Sequence, residues 1–453
     1  MSRLLQFLED RLGVVSAWQG SMSEKCPPRG IGWLRTLGFC ALFVAIYQVL
    51  SGVALALHYV PSTDHAYDSI LAIEADVPLG AFTRSLHHFG ASAFVVLALL
   101  HMMRVFFTGA YKQPREFTWL TGVALLLVVL GFGFTGYLLP WDQKAYFATK
   151  VGVEIAGKAP IIGADVRQIL AGGESVGPPT LTRFYVIHVV LLPLALFGLL
   201  GLHMFLIQRH GVSPPGAPVG ARVEPGPPYF PHHVLKEAIA ALLVTGALVY
   251  FAATQTAPLE ALAEPSDTNY DPRPDWYFLG LFQLLKVFKG PLEPFGAFWL
   301  PNLALVALFA LPFIDRNPAR HWRRRPVATA LGVVFLLAAV GLTATGAADP
   351  PEHRPTLRHE LGLTDVERQG YLLVRRLKCL DCHPLQTETG VLGGSEDMDA
   401  PELDDLFSDA DSVAAILEDP REMLSEDTEM PSFAHVPYQQ RLAVALYLET
   451  LME

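Results

Sequence analysis

The sequence predicts an all-α membrane protein: a bundle of four transmembrane helices, three further transmembrane helices, and a small all-α domain outside the bilayer. Three observations carry this. Seven apolar runs are long enough to cross a hydrocarbon core of about 30 Å, which takes about 20 helical residues. The 453-residue chain is 51% apolar and only 17% charged, with a mean hydropathy of +0.34. Its charge is also segregated: residues 349–453 hold 23 acids against 8 bases, a net of −15, while the remainder stands at +4.

The spans fall near 36–59, 86–107, 118–139, 183–207, 233–254, 296–314 and 327–347. Ahead of the first, Leu4, Leu5, Leu8, Leu12 and Val15 recur at helical spacing. Residues 3–16 are therefore expected to lie as a helix on the membrane surface, with no cleavable signal before the first span. Arginine and lysine set the orientation. The loop between spans 6 and 7, DRNPARHWRRRP, holds Arg316, Arg320, Arg323, Arg324 and Arg325, and Lys112, Arg115, Arg209 and Arg222 follow spans 2 and 4. Between spans 1 and 2, Asp64, Asp68, Glu74 and Asp76 face only Arg84. The N-terminus is thus expected in the cytoplasm and the C-terminus outside it. Topology accounts for the basic residues, and the sequence has no nucleic-acid signature. The Pro/Gly-rich stretch at 213–231 separates spans 1–4 from spans 5–7, and DPPEHRP (349–355) reads as a stiff linker. The expected domains are 1–212, 213–348 and 349–453.

Residues 84–104, RSLHHFGASAFVVLALLHMMR, raise the chemical question, because ionisable side chains inside a span are costly and mark a site with a partner. One such imidazole could simply bond a neighbouring carbonyl, so a second element is needed. Span 4 supplies it with His188 and His203, and it runs in the same direction as span 2. His87 and His101 are 14 residues apart, a rise of about 21 Å and a net turn of about −40°. His188 and His203 are 15 apart, about 22 Å and about +60°. Each pair lies roughly on one face, setting His87 opposite His188 and His101 opposite His203. Two neutral imidazoles facing across a bundle suit the axial positions of a haem iron, whereas structural zinc gathers four ligands at one point. Two non-covalent haems b are expected. His88 points away and is expected to be structural. Arg84, Arg104 and Arg183 flank the ladder ends, where they would pair haem propionates or snorkel to the membrane edge. Gly52, Gly131, Gly133 and Gly136 would let a flat macrocycle approach the backbone, though close helix packing uses glycine too.

Residues 379–383 read CLDCH, which points to covalent attachment of one haem c. Cys379 and Cys382 would bond the vinyl groups and His383 would be one axial ligand. Met430, in EMPSF, is the expected second ligand, with Met423 and Met398 as rivals. Such attachment occurs outside the cytoplasm, where the charge count independently puts the C-terminus. Cys26 and Cys40 are expected to be free thiols.

Three stretches, GYLLPWDQKAYFATKV (136–151), TLTRFYVIH (180–188) and PDWYFLGLFQLLK (274–286), carry a resemblance to the cytochrome b family of quinol-oxidising cytochrome bc and bf complexes. It covers nearly all of residues 1–347. The 14 residues between His188 and His203, RRPVAT (324–329) and the seven-span plan resemble the bf type, in which these two portions are separate polypeptides. CLDCH and EMPSF resemble a class I cytochrome c. The resemblance implies an outer quinol site of Pro274, Asp275, Trp276 and Tyr277, with Tyr137 nearby. The usual motif has Glu where this chain has Asp275. Asp275 would accept a quinol proton, or it merely caps the helix that follows. An inner quinone site would draw on Lys236, Glu237 and His210. The bf type bonds an extra haem through a cysteine; the matching position here is Thr36, so none is expected. The resemblance further implies bifurcation of quinol electrons, with one going to a separate Rieske iron–sulfur protein and the other through the haem pair, while protons leave outside. It implies other subunits, a dimeric complex in a bacterial inner membrane, and a soluble or membrane electron acceptor. A dihaem quinone-reactive anchor for another redox enzyme would share the ladder but lack PDWYF. A redox-gated transporter would place acids mid-span.

Overall fold

The computed structural model describes residues 26–30, 32–222, 224–265, 270–349, 364–377, 379, 382–387, 390–392, 409–425 and 428–450. The expected surface helix over 3–16 and the candidate Met398 lie outside them. Seven stretches are long and apolar enough to cross a membrane: Leu37–Ala56, Gly80–Phe107, Glu116–Tyr137, Pro178–His210, Tyr229–Thr254, Gly290–Ile314 and Pro326–Ala348. In chain order the helices begin with α1 (Leu37–Ala56), α2 (Ala66–Ala75), α3 (Gly80–Phe107), α4 (Glu116–Tyr137), α5 (Gln143–Gly157) and α6 (Gly163–Ala171). The fourth span combines α7 (Pro178–Val186), a π-type turn over Ile187–Leu191, and α8 (Leu192–His210). Then come α9 (Tyr229–Thr254), α10 (Trp276–Val287), α11 (Leu300–Ile314) and α12 (Pro326–Ala348).

Two π-type turns, Ile187–Leu191 and Phe295–Trp299, each precede a proline by two residues, Pro193 and Pro301. Proline has no N–H to give the carbonyl four residues back, so the helix re-registers around the missing bond.

The four-helix portion is joined to the rest at both ends. At the end holding His87 and His188, a strap over residues 257–264 crosses α3 and α5. Arg84 donates to Glu74 and to the carbonyls of Ala257 (2.9 Å) and Pro258 (2.8 Å), and Ser85 Oγ accepts from Ala257 N (3.0 Å). Asp142 caps α5 through Ala145 N (2.8 Å) and takes Glu260 N on its other oxygen (3.0 Å), while Gln143 Oε1 accepts from Glu264 N (2.9 Å). At the opposite end Asp315 is ion-paired with Lys112 (2.7 Å) and Arg325 (2.9 Å) and bonded by Tyr111. Trp119 Nε1 donates to Leu308 O (2.7 Å). Lys112, Arg320 and Arg325 are buried, so three of the cations counted for orientation act as internal clamps.

Short α10 crosses the end of α12. A Cβ at Gly346 would lie 3.2 Å from Leu279 O, and Lys286 Nζ reaches Asp349 (2.7 Å) just past the helix. The C-terminal region contributes α13 (Asp365–Arg376), an antiparallel hairpin of β1 (Leu385–Thr387) and β2 (Gly390–Leu392), α14 (Ala410–Glu418), α15 (Pro420–Met423) and α16 (Tyr438–Glu449). That hairpin of two three-residue strands is the one sheet among the described residues, in an otherwise all-α plan. Its core includes Tyr371, Val374, Leu417, Phe433, Val444 and Leu448. The same cluster takes in Tyr67 of α2, with Leu71, Leu259 and Leu262 packed against it, so this domain rests on the His87 end.

Candidate functional site

His87 and His188 face each other with ring centres 6.4 Å apart. A metal–nitrogen bond of about 2 Å on each side, plus about 1.1 Å from nitrogen to ring centre, requires about 6.2 Å. The spacing therefore fits a metal ion held between the two imidazoles. The π-type turn also corrects the ladder arithmetic. His188 lies inside it, so the steps from His188 to Leu191 each turn by less than 100°, and the net angle to His203 falls below about +60°, toward that of His87 and His101.

Hydroxyls fix the tautomers. Ser51 Oγ, Thr135 Oγ1 and Thr121 Oγ1 lie 2.9, 3.0 and 2.9 Å from Nδ1 of His87, His188 and His203. Each hydroxyl spends its single proton on a carbonyl of its own helix: Tyr47 (2.6 Å), Gly131 (2.8 Å) and Phe117 (3.0 Å) respectively. Its oxygen must then accept from Nδ1–H, leaving the Nε2 lone pair for a metal. His101 Nδ1 is buried without a partner among the described residues.

Bare backbone lies beside all four rings. A Cβ would come 3.1 Å from His87 Cε1 at Gly52, 2.7 Å from His188 at Gly136, 2.8 Å from His101 at Gly38 and 3.4 Å from His203 at Gly122. Gly52 and Gly136 were expected from sequence. Gly131 instead abuts Leu192, and Gly133 abuts Tyr277. Facing imidazoles, hydroxyl-bonded Nδ1 atoms and glycine cradles fit haem b at the His87–His188 pair, and His101 and His203 offer two imidazoles beside glycines for a second.

The flanking arginines divide. Arg84 is engaged by the strap, and Arg183 donates to the carbonyls of Ile169 and Gln168 at the end of α6. Arg104 Nε is buried without a hydrogen bond among the described residues, as is Arg35 Nη1. Burial, then the guanidiniums of Arg104 and Arg115, bring Arg35 down to about 9. This cluster at the His101 end suits carboxylate groups of a bound haem, and sequence reading missed Arg35.

Asp275 precedes α10 but makes no side-chain capping bond. One carboxylate oxygen is ion-paired with Lys144 of α5, and the other accepts from Tyr277 OH (3.1 Å). Trp276 Nε1 donates to Ser92 Oγ on α3 (3.2 Å). Burial alone would push the Asp275 carboxyl up, but Lys144, with smaller help from His88 and Tyr277, holds it below the usual carboxylate range. Tyr277 packs on Gly133, one turn from Gly136 and hence from His188. Tyr137 packs edge-on against Phe278 of α10, the neighbour of Tyr277. A cavity of about 660 Å³ opens further along α5 between Phe147, Val151, Tyr270 and Phe288. It does not include Asp275.

At the His101 end Glu237 accepts from Tyr229 OH (2.5 Å), and His210 Nδ1 and His233 Nε2 are buried without partners among the described residues. Lys236 lies beside Glu237 on α9, partly buried. Thr36 bonds the carbonyl of Trp33 (2.8 Å), and Cys40 is buried a turn later. In the C-terminal domain Cys379, His383 and Met430 line one small apolar cavity with Val374, Leu417 and Val444. Cys382 is half-buried and donates its N–H to Cys379 O (3.3 Å), and Met423 is exposed. Two thiols, a following imidazole and a facing thioether fit haem c.

Two family models match the chain: cytochrome b/b6/petB over residues 22–211, and cytochrome b(C-terminal)/b6/petD over 262–362. The menaquinol:cytochrome c reductase cytochrome b subunit of Bacillus subtilis (strain 168) is 43% identical over 222 residues, 48% of this chain and 99% of that protein. The cytochrome bc complex cytochrome b subunit of Chlorobaculum thiosulfatiphilum is 36% identical over 318 residues, 69% and 73% of the two chains. A solved structure titled hyperthermophilic respiratory Complex III superposes with a TM-score of 0.70 at 30% identity, covering 76% of this chain and 92% of that one.

Proposed function

The chain belongs to the cytochrome b/b6 family, and on that premise we propose that it is the quinol-oxidising electron-transfer subunit of a Rieske/cytochrome b complex, with a haem c domain of its own. It is a cytochrome b of the quinol:cytochrome c oxidoreductase type, a membrane protein that binds haem b. Two haems b on the paired histidines supply a one-electron path across the bilayer when bound. Quinol docks at the His87 end against Pro274, Trp276 and Tyr277, and Asp275 takes a proton from it. One electron goes to a separate Rieske iron–sulfur protein. The other crosses to a quinone held near Lys236, Glu237 and His210. Cys379 and Cys382 would carry haem c, and His383 and Met430 would hold its iron. Tethering that acceptor beside the outer site raises its effective concentration. The domain's acidity suits a basic docking surface on the next carrier. The complex is dimeric and lies in a bacterial inner membrane, with the N-terminus cytoplasmic and the haem c domain outside, where protons are released.

The observation that carries this reading is the position of the PDWY acid. Asp275 leaves its cap unmade, pairs with Lys144 and Tyr277, and is linked toward the outer histidine pair by Tyr277, whose ring lies on Gly133, one helical turn from the Gly136 that abuts His188. A dihaem anchor would share the histidines but has no use for this acid. Asp275→Asn should cut quinol oxidation by about 100- to 10,000-fold with haem content unchanged, and Asp275→Glu should retain activity. Near-normal turnover in the Asn variant refutes Asp275 as the acceptor and moves the role to Tyr137 or Tyr277.

A further inference from the structure

Lys144 is the second residue of α5 and lies 131 residues from its partner in sequence. The side chains of Lys144 and Asp275 are mostly buried, 26% and 17% exposed. Around Lys144 the other acids are already engaged. Asp142 accepts two backbone N–H groups, and Glu260 accepts from Tyr270 OH (2.6 Å). Lys144 therefore bonds the carboxylate of the PDWY motif itself. The charged and titratable groups facing Asp275 are Lys144 from α5, His88 from α3, Tyr277 from α10 and Tyr137 from α4. Only Lys144 brings a full, fixed positive charge.

We propose that Lys144 is a positioning residue for proton transfer at the outer site, its ammonium keeping the shorter Asp275 side chain ionised and aimed so that the quinol proton acceptor is a lysine–aspartate pair. This rests on the quinol-oxidising reading above. In the step, a quinol O–H bond breaks and the proton forms an O–H bond with Asp275. The bonding pair stays on the quinol oxygen, leaving a quinolate and a neutral carboxylic acid. Protonation removes the charge that ties Asp275 to Lys144. The acid is then free to turn and release its proton while Lys144 is left unpaired, and re-pairing restores the acceptor.

A buried carboxylate beside a cation titrates about one to three pH units lower than it would alone. A base works only when ionised, so the activity it supports is lost as pH falls through its pKa. Removing the cation moves that loss to higher pH. In the intact membrane complex, Lys144→Met and Lys144→Gln should shift the acidic limb of kcat/KM for quinol oxidation upward by about one to three pH units. Activity should recover at alkaline pH, with both b-haem spectra unchanged. Lys144→Arg should keep the original limb. At mildly acidic pH, infrared spectra of the Met variant should gain a carboxylic acid band that disappears when Asp275→Asn is added, and that double variant should be no slower than Asp275→Asn alone. An unshifted limb in both uncharged variants, or a loss equal at every pH, overturns the proposal for Lys144. Full activity in Asp275→Asn would instead overturn the proton-acceptor reading beneath it, so the two failures are distinguishable.

Discussion

Replacing Gly136 with alanine would put a Cβ 2.7 Å from Cε1 of His188. Carbon atoms pack at about 3.5 Å or more, so the imidazole would have to retreat by about 0.8 Å. A metal–ligand bond tolerates about 0.2 Å. The imidazole is also held by the Thr135 hydroxyl at Nδ1, so it cannot retreat without breaking that bond. The expected result is loss of most of the haem b at the His87–His188 pair, with the other pair retained. The remaining cradles set a scale. Gly38→Ala at 2.8 Å should cost the His101–His203 haem nearly as much, Gly52→Ala at 3.1 Å should cost the first haem less, and Gly122→Ala at 3.4 Å should leave its haem nearly intact. Gly198, Gly201 and Gly246, where a Cβ meets nothing within 4 Å, are the silent controls. Reduced-minus-oxidised spectra with redox titration of membranes resolve the two b haems and give their occupancies. The reasoning fails if Gly122→Ala costs as much as Gly136→Ala, or if Gly136→Ala removes the other pair's signal and spares its own.

Two further outcomes follow from the ligand sets. Pyridine haemochrome analysis should return about two extractable haems for each one that stays with the denatured chain; a second covalent haem would show that Thr36 is no barrier to one. Met430→His should lower the haem c potential and abolish any sulfur-to-iron absorption band, whereas the same loss from Met423→His would relocate the ligand to that exposed side chain.

Spans and histidine ladders were legible because burying an imidazole in a bilayer is costly enough to leave few explanations, and helical periodicity then says which ones face each other. The ladder angle was misjudged where the helix is not regular, although Pro193 advertises the break. Gly38 and Gly122 were not visible as cradles, because that role depends on which helices lie side by side rather than on local spacing. Lys144 escaped for the same reason, since a pairing across 131 residues leaves no local pattern. Arg84 was read as a haem-edge cation but serves the 257–264 strap. Lys112, Arg320 and Arg325 look in sequence like free loop charges, yet each is buried among carbonyls or carboxylates of a distant loop.

The strap and the Asp315 clamp bear on how the molecule could be divided. Between the four-helix portion and the later spans, these two fastenings sit at opposite ends of the bundle, the strap resting on buried side-chain-to-backbone bonds and the clamp on buried ion pairs. The Pro/Gly-rich peptide at 213–228 adds loop-closure entropy, a slowly varying and modest contribution, and a few bonds such as Val219 N to Pro318 O (3.0 Å) and Gly226 N to Pro27 O (2.7 Å). A nick there would leave two fragments latched at both ends, each completing the other's buried surface. In that sense the polypeptide is a heterodimer with its partners joined in series, and co-expressed halves should assemble by complementation where a cut through the strap would not.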